Sequence, residues 1–271
     1  SGGCAAFCGH HHMLANGVVK QVQRDGQLLR EFARIGYSDV KIGLPPSPAV
    51  GVVGVTRDGD DIIQHIRCIG GPAYSLTDMI GHADGVCDVL VRREGTIVVG
   101  AVRTRALSHL IIGIDDTDSS EGGATFALAL ALLQYLGARK GVIPIDHRVV
   151  MLSPDIPWRT AGNSCSYIEL ATTHESIGKV VERAILFVED EALSGEWGIA
   201  VKQGFCIDPP LRLYGKKARE EMVGREFAEE TAGRQGITLH GGRGVIGALA
   251  AVALSGLPNE ILLSPEQNIP P

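Results

Sequence analysis

"LIIGIDDTDSSEGGATFALALALL" (residues 110–133) changes character twice along its length. A continuous apolar run ends in Asp115, Asp116 and Asp118, and a second apolar run follows after a short polar stretch. The first run is short and rich in isoleucine, which is typical of a buried strand, whereas the second is long enough for a buried helix. The segment therefore predicts a strand, an acidic turn and a helix in direct succession.

The start of the predicted helix favours anion binding. The first N–H groups of a helix are unpaired, its dipole is positive there, and Gly122 and Gly123 allow the backbone to approach a phosphate closely. Three carboxylates beside that point would repel phosphate unless a divalent cation lies between them. Mg²⁺ binds one or two carboxylates together with phosphate oxygens. We therefore expect Asp115, Asp116 and Asp118 to hold Mg²⁺ beside the phosphates of a nucleotide.

A purely structural alternative exists for the same residues. Asp118, Ser119 or Ser120 can cap the helix while the other acids are solvated. Thr125 lies on the first turn of the predicted helix. Its hydroxyl can cap the helix, bind the metal or a phosphate, or accept a phosphoryl group, and the sequence does not rank these roles.

A second glycine-rich element, "HGGRGVIGALAA" (240–251), also leads into an apolar helix. Arg243 carries a planar fork of donors that suits phosphate, and Gly244 belongs to a loop that can supply further N–H groups. We expect both residues to bind phosphate. The alternative is that Gly247 and Ala248 permit close helix packing and that Arg243 pairs with an acidic side chain.

Between these elements, "PDIPWRTAGNSCSYIEL" (154–170) predicts a proline-stiffened loop and a strand. Arg159 and Asn163 on that loop can contact a base or an acceptor substrate, although an ordinary turn with Trp158 packed on the core fits as well. Cys165 lies on the following strand and is expected to be a small buried residue.

Composition and charge limit the classes of protein to which this chain can belong. The 271 residues are 45% hydrophobic and include 35 glycines, with a net charge of −6. Residues 1–108 hold 11 Lys and Arg against 10 Asp and Glu, whereas residues 109–271 hold 14 against 21. An acidic second half disfavours general binding of RNA. Six cysteines without a CxxC pair, no signal peptide and no membrane span predict a cytoplasmic protein that does not bind membranes.

Turn residues and hydrophobic periodicity divide the chain into three regions. Residues 1–48 are interpreted as a flexible arm, a helix over 18–37 and a proline-rich linker. Residues 49–108 form a β-rich region. Residues 109–271 alternate strands with helices and therefore predict an α/β or α+β layered fold. The helices of that region are expected at about 123–137, 174–188 and 215–232, with a closing strand at 260–264.

"CAAFCGHHHM" (4–13) gathers two cysteines and three histidines near the N-terminus. These side chains can bind zinc or nickel, but their spacing is not that of a zinc ribbon. A flexible arm or part of a tag has the same composition, and both interpretations stay open.

Three motifs in the same order carry a family resemblance: "IGIDDTDSSEGGAT", "PDIPWRTAGN" and "GRGVIGALAA". Over residues 110–263 the chain resembles the archaeal tRNA(Ile) agmatinylcytidine synthetase family, which uses ATP to join agmatine to a tRNA cytidine. The resemblance implies a kinase-like domain in which ATP and Mg²⁺ lie on Asp115, Asp116 and Asp118. It also implies phosphate transfer at Thr125 and a phosphate contact by Arg243.

The chain also departs from that family. About 109 residues precede the acidic motif, whereas the family begins there, and the OB-fold and zinc ribbon that grip tRNA do not follow. The turn reads "GGATF" where the family has "GGCTT"-like sequences, so that one threonine is lost. These features are similar to the methanogenesis marker protein 11 group, a paralogous group of methane-producing archaea.

We therefore expect an ATP- and Mg²⁺-dependent ligase or phosphotransferase that acts on an unknown acceptor. A non-catalytic nucleotide-binding protein with a regulatory or assembly role is one alternative. A tRNA-modifying enzyme is another, which the charge distribution disfavours. Helices rich in alanine and glycine are compatible with a homo-oligomer. The expected catalytic residues are Asp115, Asp116 and Thr125, and the expected nucleotide and substrate contacts are Asp118, Ser119, Gly122, Gly123, Arg243, Gly244, Arg159 and Asn163.

Overall fold

The chain folds into two compact units, Ser1–Ala106 and Leu107–Pro271. Buried residues form separate hydrophobic clusters within each unit. The structure, a computed structural model, describes four segments and two further residues: 2–25, 28–83, 85–154, 162–264, 266 and 269.

The first unit combines an N-terminal helix with antiparallel strands. Its described elements are α1 (Gly2–Leu14), β1 (Val19–Asp25), β2 (Leu28–Ala33), β3 (Gly36–Tyr37), β4 (Val50–Asp58), β5 (Asp61–Cys68), α2 (Gly71–Tyr74), β6 (Val86–Glu94) and β7 (Ile97–Arg105). β1 and β2 form a hairpin, and the other strands form a five-stranded sheet in the order β3-β4-β5-β7-β6. Short π-helical and 3₁₀ turns follow α2 as far as His82.

Two expectations for the first 37 residues are wrong. The helix expected over 18–37 is the β1–β2 hairpin, and the flexible arm is largely α1. The packing of α1 against Val22 and Leu29 of the hairpin, at Gly9, outweighs the helix-like spacing of the apolar residues in this segment. Tertiary contacts order α1, because the His12 Nδ1 lies 2.6 Å from the Glu31 Oε1 on β2.

The second unit is a layered domain around one sheet. Its described elements are β8 (Ser108–Asp115), α3 (Thr125–Gly137), β9 (Val142–Met151), β10 (Ser164–Thr172), α4 (Ile177–Glu191), β11 (Gly198–Gln203), α5 (Pro209–Glu220), α6 (Arg225–Arg234), β12 (Thr238–Gly241), α7 (Val245–Leu254) and α8 (Asn259–Leu263). The strand order is β12-β11-β8-β10-β9, with β8 central and every pairing antiparallel. The expected α+β layered class is confirmed.

Two finer expectations for this unit are wrong. The helix expected at 215–232 is two helices, α5 and α6, because Gly224 is extended and caps the start of α6. The closing strand expected at 260–264 is the short helix α8, which begins directly after Pro258 and buries Leu262.

The sheet is covered on both faces, which explains the continuous apolar run in β8. The adjacent residues Ile111 and Ile112 point to opposite faces, because side chains alternate along a strand. Ile112 packs with residues of α3 and α4, and Ile111 packs with residues of α5 to α8.

α7 lies directly against the central strand β8 and its neighbour β11. A β-carbon at Gly113 on β8 would lie 2.0 Å from the Ala248 carbonyl oxygen, and one at Gly198 on β11 would lie 2.0 Å from the Val245 nitrogen. These glycines let the backbone of a small-residue helix rest on the sheet. The N-terminal end of α7 is thereby placed beside the end of β8, where the acidic turn begins.

Candidate functional site

The acidic turn begins where β8 ends at Asp115. Asp116 has a left-handed backbone conformation (φ 56°), which is uncommon outside glycine and turns the chain out of the strand. Ser119 and Gly122 then close a tight turn with two backbone hydrogen bonds, of 2.9 and 3.2 Å. α3 begins at Thr125, so strand, acidic turn and helix follow in the expected order.

The first turn of α7 contacts the end of β8 through two glycines. A β-carbon on Gly247 would lie 1.8 Å from the Asp115 Oδ2, and one on Gly244 would lie 2.6 Å from the Asp115 carbonyl oxygen. Any side chain at either position would displace Asp115. The glycines therefore allow the positive end of a helix dipole to lie against a carboxylate.

Arg243 links this helix to the acidic turn. Its Nη2 donates a hydrogen bond to the Asp116 Oδ2 at 3.1 Å, and both side chains are partly exposed. Its backbone N–H donates to the Glu196 Oε2 at 2.8 Å, and the Gly244 N–H donates to the Glu196 carbonyl oxygen at 2.7 Å. The expectation that this loop offers free N–H groups is therefore wrong for these two residues. The guanidinium is the group that faces the turn.

Thr125 is buried and holds the acidic turn together. Its hydroxyl donates to the Asp118 Oδ1 at 3.2 Å and lies 3.1 Å from the Thr117 Oγ1. The Thr117 backbone N–H also donates to the Thr125 oxygen, at 3.3 Å. Thr125 is only 5% exposed. In this arrangement its hydroxyl positions Asp118.

One cavity brings together many of the expected residues. Its wall includes the expected residues Asp115, Asp116, Asp118, Asn163, Arg243 and Gly244. The remaining lining residues are Leu152, Gly162, Ser164, Ala218, Glu221, Met222, Val223, Ile246 and Gly247. Among the described residues, Ser119, Gly122 and Gly123 lie outside the lining, in or next to the turn, and Thr125 lies outside it at the start of α3.

The loop between β9 and β10 contributes Asn163 to this cavity. Its Nδ2 donates to the Ser153 carbonyl oxygen at 2.7 Å, so the amide is already fixed in place. Arg159 and Trp158 lie outside the described residues. Cys165 is fully buried, as expected, and burial raises the pKa of its thiol well above the ordinary value.

Two acidic residues of the cavity, Asp115 and Asp116, resist ionisation. Burial, reinforced by the charges of Asp116 and Asp118, raises the pKa of Asp115 to about 8, although the Asp116 backbone N–H and Arg243 oppose this shift. Burial also raises the pKa of Asp116, while its hydrogen bond to Arg243 lowers it. A bound cation would offset the cost of ionising these groups, because a positive charge favours the carboxylate form.

The three aspartates do not converge on one point. Asp115 lies against Gly247, Asp116 bonds to Arg243 and Asp118 bonds to Thr125. Within the described part of the chain, no three His, Cys, Asp or Glu side chains are grouped so that they could hold a metal ion. Mg²⁺ commonly takes one or two carboxylates and completes its shell with phosphate and water. The donor set of Asp115 and Asp116 fits that mode of binding, but not a closed protein cage.

Sequence reasoning missed two residues that shape this site. Glu196 precedes β11 and holds the Arg243–Gly244 backbone from 47 positions away, and no local pattern indicates that contact. Gly247 was considered only for close helix packing. Its spacing of three from Gly244, one helical turn, is the signal that both residues face the same neighbour.

The N-terminal cysteines and histidines occupy a different place. Cys4, Cys8 and His12 lie on one face of α1 and line a mainly apolar cavity of about 600 Å³ in the first unit. His12 is committed to Glu31, and burial raises the pKa of the Cys8 thiol. Among the described residues, these cysteines and histidines are not grouped in a way that could hold a metal ion.

Comparison with known proteins gives matches over the second unit and over nearly the whole chain. A family model described as the TiaS TCKD domain matches residues 111–203. The uncharacterized protein MJ0921 of Methanocaldococcus jannaschii is 32% identical over 263 residues, which cover 90% of this chain and 87% of that protein.

The agmatinylcytidine synthetase TiaS of Methanosarcina acetivorans is 35% identical over 150 residues, covering 52% of this chain and 35% of that enzyme. The corresponding enzyme of Acidilobus saccharovorans is 33% identical over 153 residues, covering 53% and 34%. The chain thus spans about a third of the length of these enzymes.

Among solved structures, a TiaS–tRNA–ATP complex is 27% identical, with a TM-score of 0.49 over 54% of this chain and 36% of that one. A TiaS complex with tRNA, AMPCPP and agmatine is 26% identical, with a TM-score of 0.47 over 53% of this chain and 36% of that one.

None of the described helices has the length and apolar character that crossing a membrane requires.

Proposed function

Residues 111–203 match the TiaS TCKD domain model, and on this basis we propose that the second unit binds ATP with Mg²⁺ and uses it to activate an acceptor. The observation that carries the proposal is the meeting of Asp115, Asp116 and Arg243 at the N-terminal turn of α7. Carboxylates for a cation and a guanidinium for phosphate face one cavity there. Relatives named as synthetases share this part of the chain.

Each residue has a role in this proposal. Asp115 and Asp116 hold Mg²⁺, which when bound neutralises the charge of the phosphates. Arg243 contacts a phosphate through its planar fork of donors, and the helix N-terminus bounded by Gly244 adds a positive potential. Thr125 positions Asp118, and its participation in phosphate transfer remains a prediction from the family resemblance.

Residues of the Ser119–Gly122 turn can contact a phosphate only after the turn changes its conformation. The Gly122 N–H already donates to the Ser119 carbonyl oxygen. Ser119, Gly122 and Gly123 can contact a phosphate only if that turn opens, so their binding role stays a prediction. Asn163 lies on the cavity wall and can orient the acceptor, with Arg159 as a further predicted contact.

Catalysis by such a site rests on positioning and on electrostatic stabilisation. Phosphoryl and nucleotidyl transfer need little covalent chemistry from the protein. The protein lowers the barrier mainly by stabilising the charge on the transferred group in the transition state. Arg243 is placed to stabilise that charge. Its partial exposure leaves it able to exchange Asp116 for a phosphate.

Turnover separates an enzyme from a nucleotide-binding protein without catalysis. ATP labelled at the α- or the γ-phosphate is incubated with the protein and Mg²⁺, and products are separated by chromatography. Release of labelled AMP or of γ-phosphate by the wild type, lost in Arg243→Ala, supports the enzyme and identifies the cleaved bond. Binding without any product in the presence of candidate acceptors, including tRNA, supports the regulatory or assembly role.

A tRNA-modifying enzyme is the second candidate. It is favoured by the identity of 33–35% to enzymes whose names assign them to tRNA modification. The negative charge of the second half weighs against it, as does the short match to those enzymes. A band shift with tRNA that weakens steeply with salt would favour this candidate over an acceptor of another class. The cytoplasmic location and the link to methanogenesis remain predictions.

A further inference from the structure

The outer face of α3 is apolar although it lies at the protein surface. Phe126 is 52% exposed and Leu130 is 42% exposed. The other exposed positions of this helix are Ala127, Ala131 and Gln134. A helix that buries one face in a sheet normally presents polar residues on the opposite face, so this apolar stripe is unpartnered.

Two further exposed leucines lie on or just after the neighbouring helix, α4. Leu186 on α4 and Leu193, two residues after α4, are 56% and 60% exposed. Leu193 lies beside the start of α3, because a β-carbon on Gly123 would contact its Cδ1 at 3.3 Å. Exposed apolar patches of this kind mark interaction surfaces.

Opposite charges flank the two ends of α3. Glu121 precedes the helix, whereas Arg139 and Lys140 follow it, and all three are exposed. Within the described part of the chain, neither Glu121 nor Lys140 has an ion-pair partner. Arg139 lies over the Tyr135 ring at 4.6 Å. Leu130 lies midway along the exposed face of α3, between Phe126 and Gln134.

We propose that α3 pairs antiparallel with α3 of a second copy of this chain, around a twofold axis at Leu130. A twofold interface must be complementary to itself, and this face is. Antiparallel pairing brings each Glu121 to the partner's Arg139 and opposes the two helix dipoles. Ala127 and Ala131 leave room for the close approach of the helices.

The mass in solution tests this pairing. Light scattering after gel filtration of the full chain is expected to give about twice the chain mass of 28.7 kDa, with dissociation on dilution. Leu130→Glu is expected to give the monomer mass at the same concentration. Leu213→Glu is the matched control, because Leu213 is 65% exposed on α5, away from α3, and this variant stays dimeric. Circular dichroism checks that both variants fold.

A charge exchange tests the antiparallel register with substitutions at exposed sites. Glu121→Arg places like charges opposite each other, and Arg139→Glu does the same. Each is expected to raise the dimer dissociation constant about three- to tenfold. The double variant restores opposite charges and returns the constant towards the wild-type value. A monomeric wild type at every concentration, or a double variant no tighter than the single ones, overturns the proposal.

Discussion

The carboxyl group of Asp115 occupies the space that a side chain at residue 247 would need. A β-carbon on Gly247 would lie 1.8 Å from the Asp115 Oδ2. The end of the central strand and the start of α7 are therefore one structural feature, although 132 positions of sequence separate them. This contact places an acidic group and a helix N-terminus on the same cavity.

Gly247→Ala is expected to damage both the fold and nucleotide binding. The added methyl group displaces Asp115, and such overpacking costs about 1–3 kcal/mol. Urea unfolding measures the loss of stability, and calorimetric titration with MgATP measures the loss of affinity. Gly233→Ala is the control. Gly233 is exposed on α6 with open space around it, and alanine there adds up to about 1 kcal/mol of stability.

Arg243→Ala is expected to weaken ATP binding about ten- to a hundredfold, because charged hydrogen bonds to phosphate are lost. The free energy of unfolding is expected to change by less than about 1 kcal/mol, since the ion pair with Asp116 is partly exposed. Arg243→Lys keeps the positive charge but lacks the planar fork of donors. Its ATP affinity is expected to lie between those of the wild type and of Arg243→Ala. An equal loss of stability and affinity would indicate a structural residue.

Glu196→Gln is expected to tighten ATP binding about two- to fivefold. The glutamine oxygen can still accept the Arg243 N–H, which keeps the loop in place, while a negative charge near the phosphates is removed. Affinity is measured by calorimetry, beside Glu189→Gln on the surface of α4 as a control for net charge. Weaker binding by Glu196→Gln would mean that its carboxylate serves the site.

The local parts of this site could be predicted from the sequence, because the pattern that specifies them is contiguous. The apolar run of β8, the acids and the helix that follows appear in 24 residues. Arg243 and Gly244 were predicted as a separate element with the same chemistry. The structure brings them to the cavity that Asp115, Asp116 and Asp118 also line.

The remaining features depend on contacts between distant residues. The hydrogen bond from the Arg243 N–H to Glu196 cannot be predicted from the sequence pattern of either segment. In the first unit, the apolar residues between 18 and 37 fit helical spacing, yet pairing of Val22 with Glu31 and of Arg24 with Leu29 forms a hairpin. Tertiary packing of α1 over those strands outweighs the local preference.

Binding of MgATP is expected to depend on pH through Asp115. Its pKa is about 8 in the free protein, above the ordinary 3.8, so a proton competes with the cation below pH 8. Affinity is expected to rise about fivefold between pH 7 and 8 and less than about twofold between pH 8 and 9. Calorimetry at these three values measures the change, and Asp115→Asn should give a flat profile.

The stability of the free protein has the opposite trend. The folded state binds the Asp115 proton more tightly than the unfolded state, so the free energy of unfolding falls as pH rises from about 4 to about 8. Asp115→Asn removes this contribution. At pH 8 without ligand, this variant is expected to unfold at a higher urea concentration than the wild type. A lower stability of Asp115→Asn at that pH would contradict the raised pKa of Asp115.

The central claim is that the carboxylates at the end of β8 hold the cation of a nucleotide. The most direct test is calorimetric titration of ATP into the wild type and into Asp115→Asn/Asp116→Asn, each with Mg²⁺ and with EDTA. We expect Mg²⁺-dependent binding by the wild type and its loss in the folded double variant. Binding of equal affinity by both proteins, or no binding by the wild type, would contradict the proposed nucleotide site.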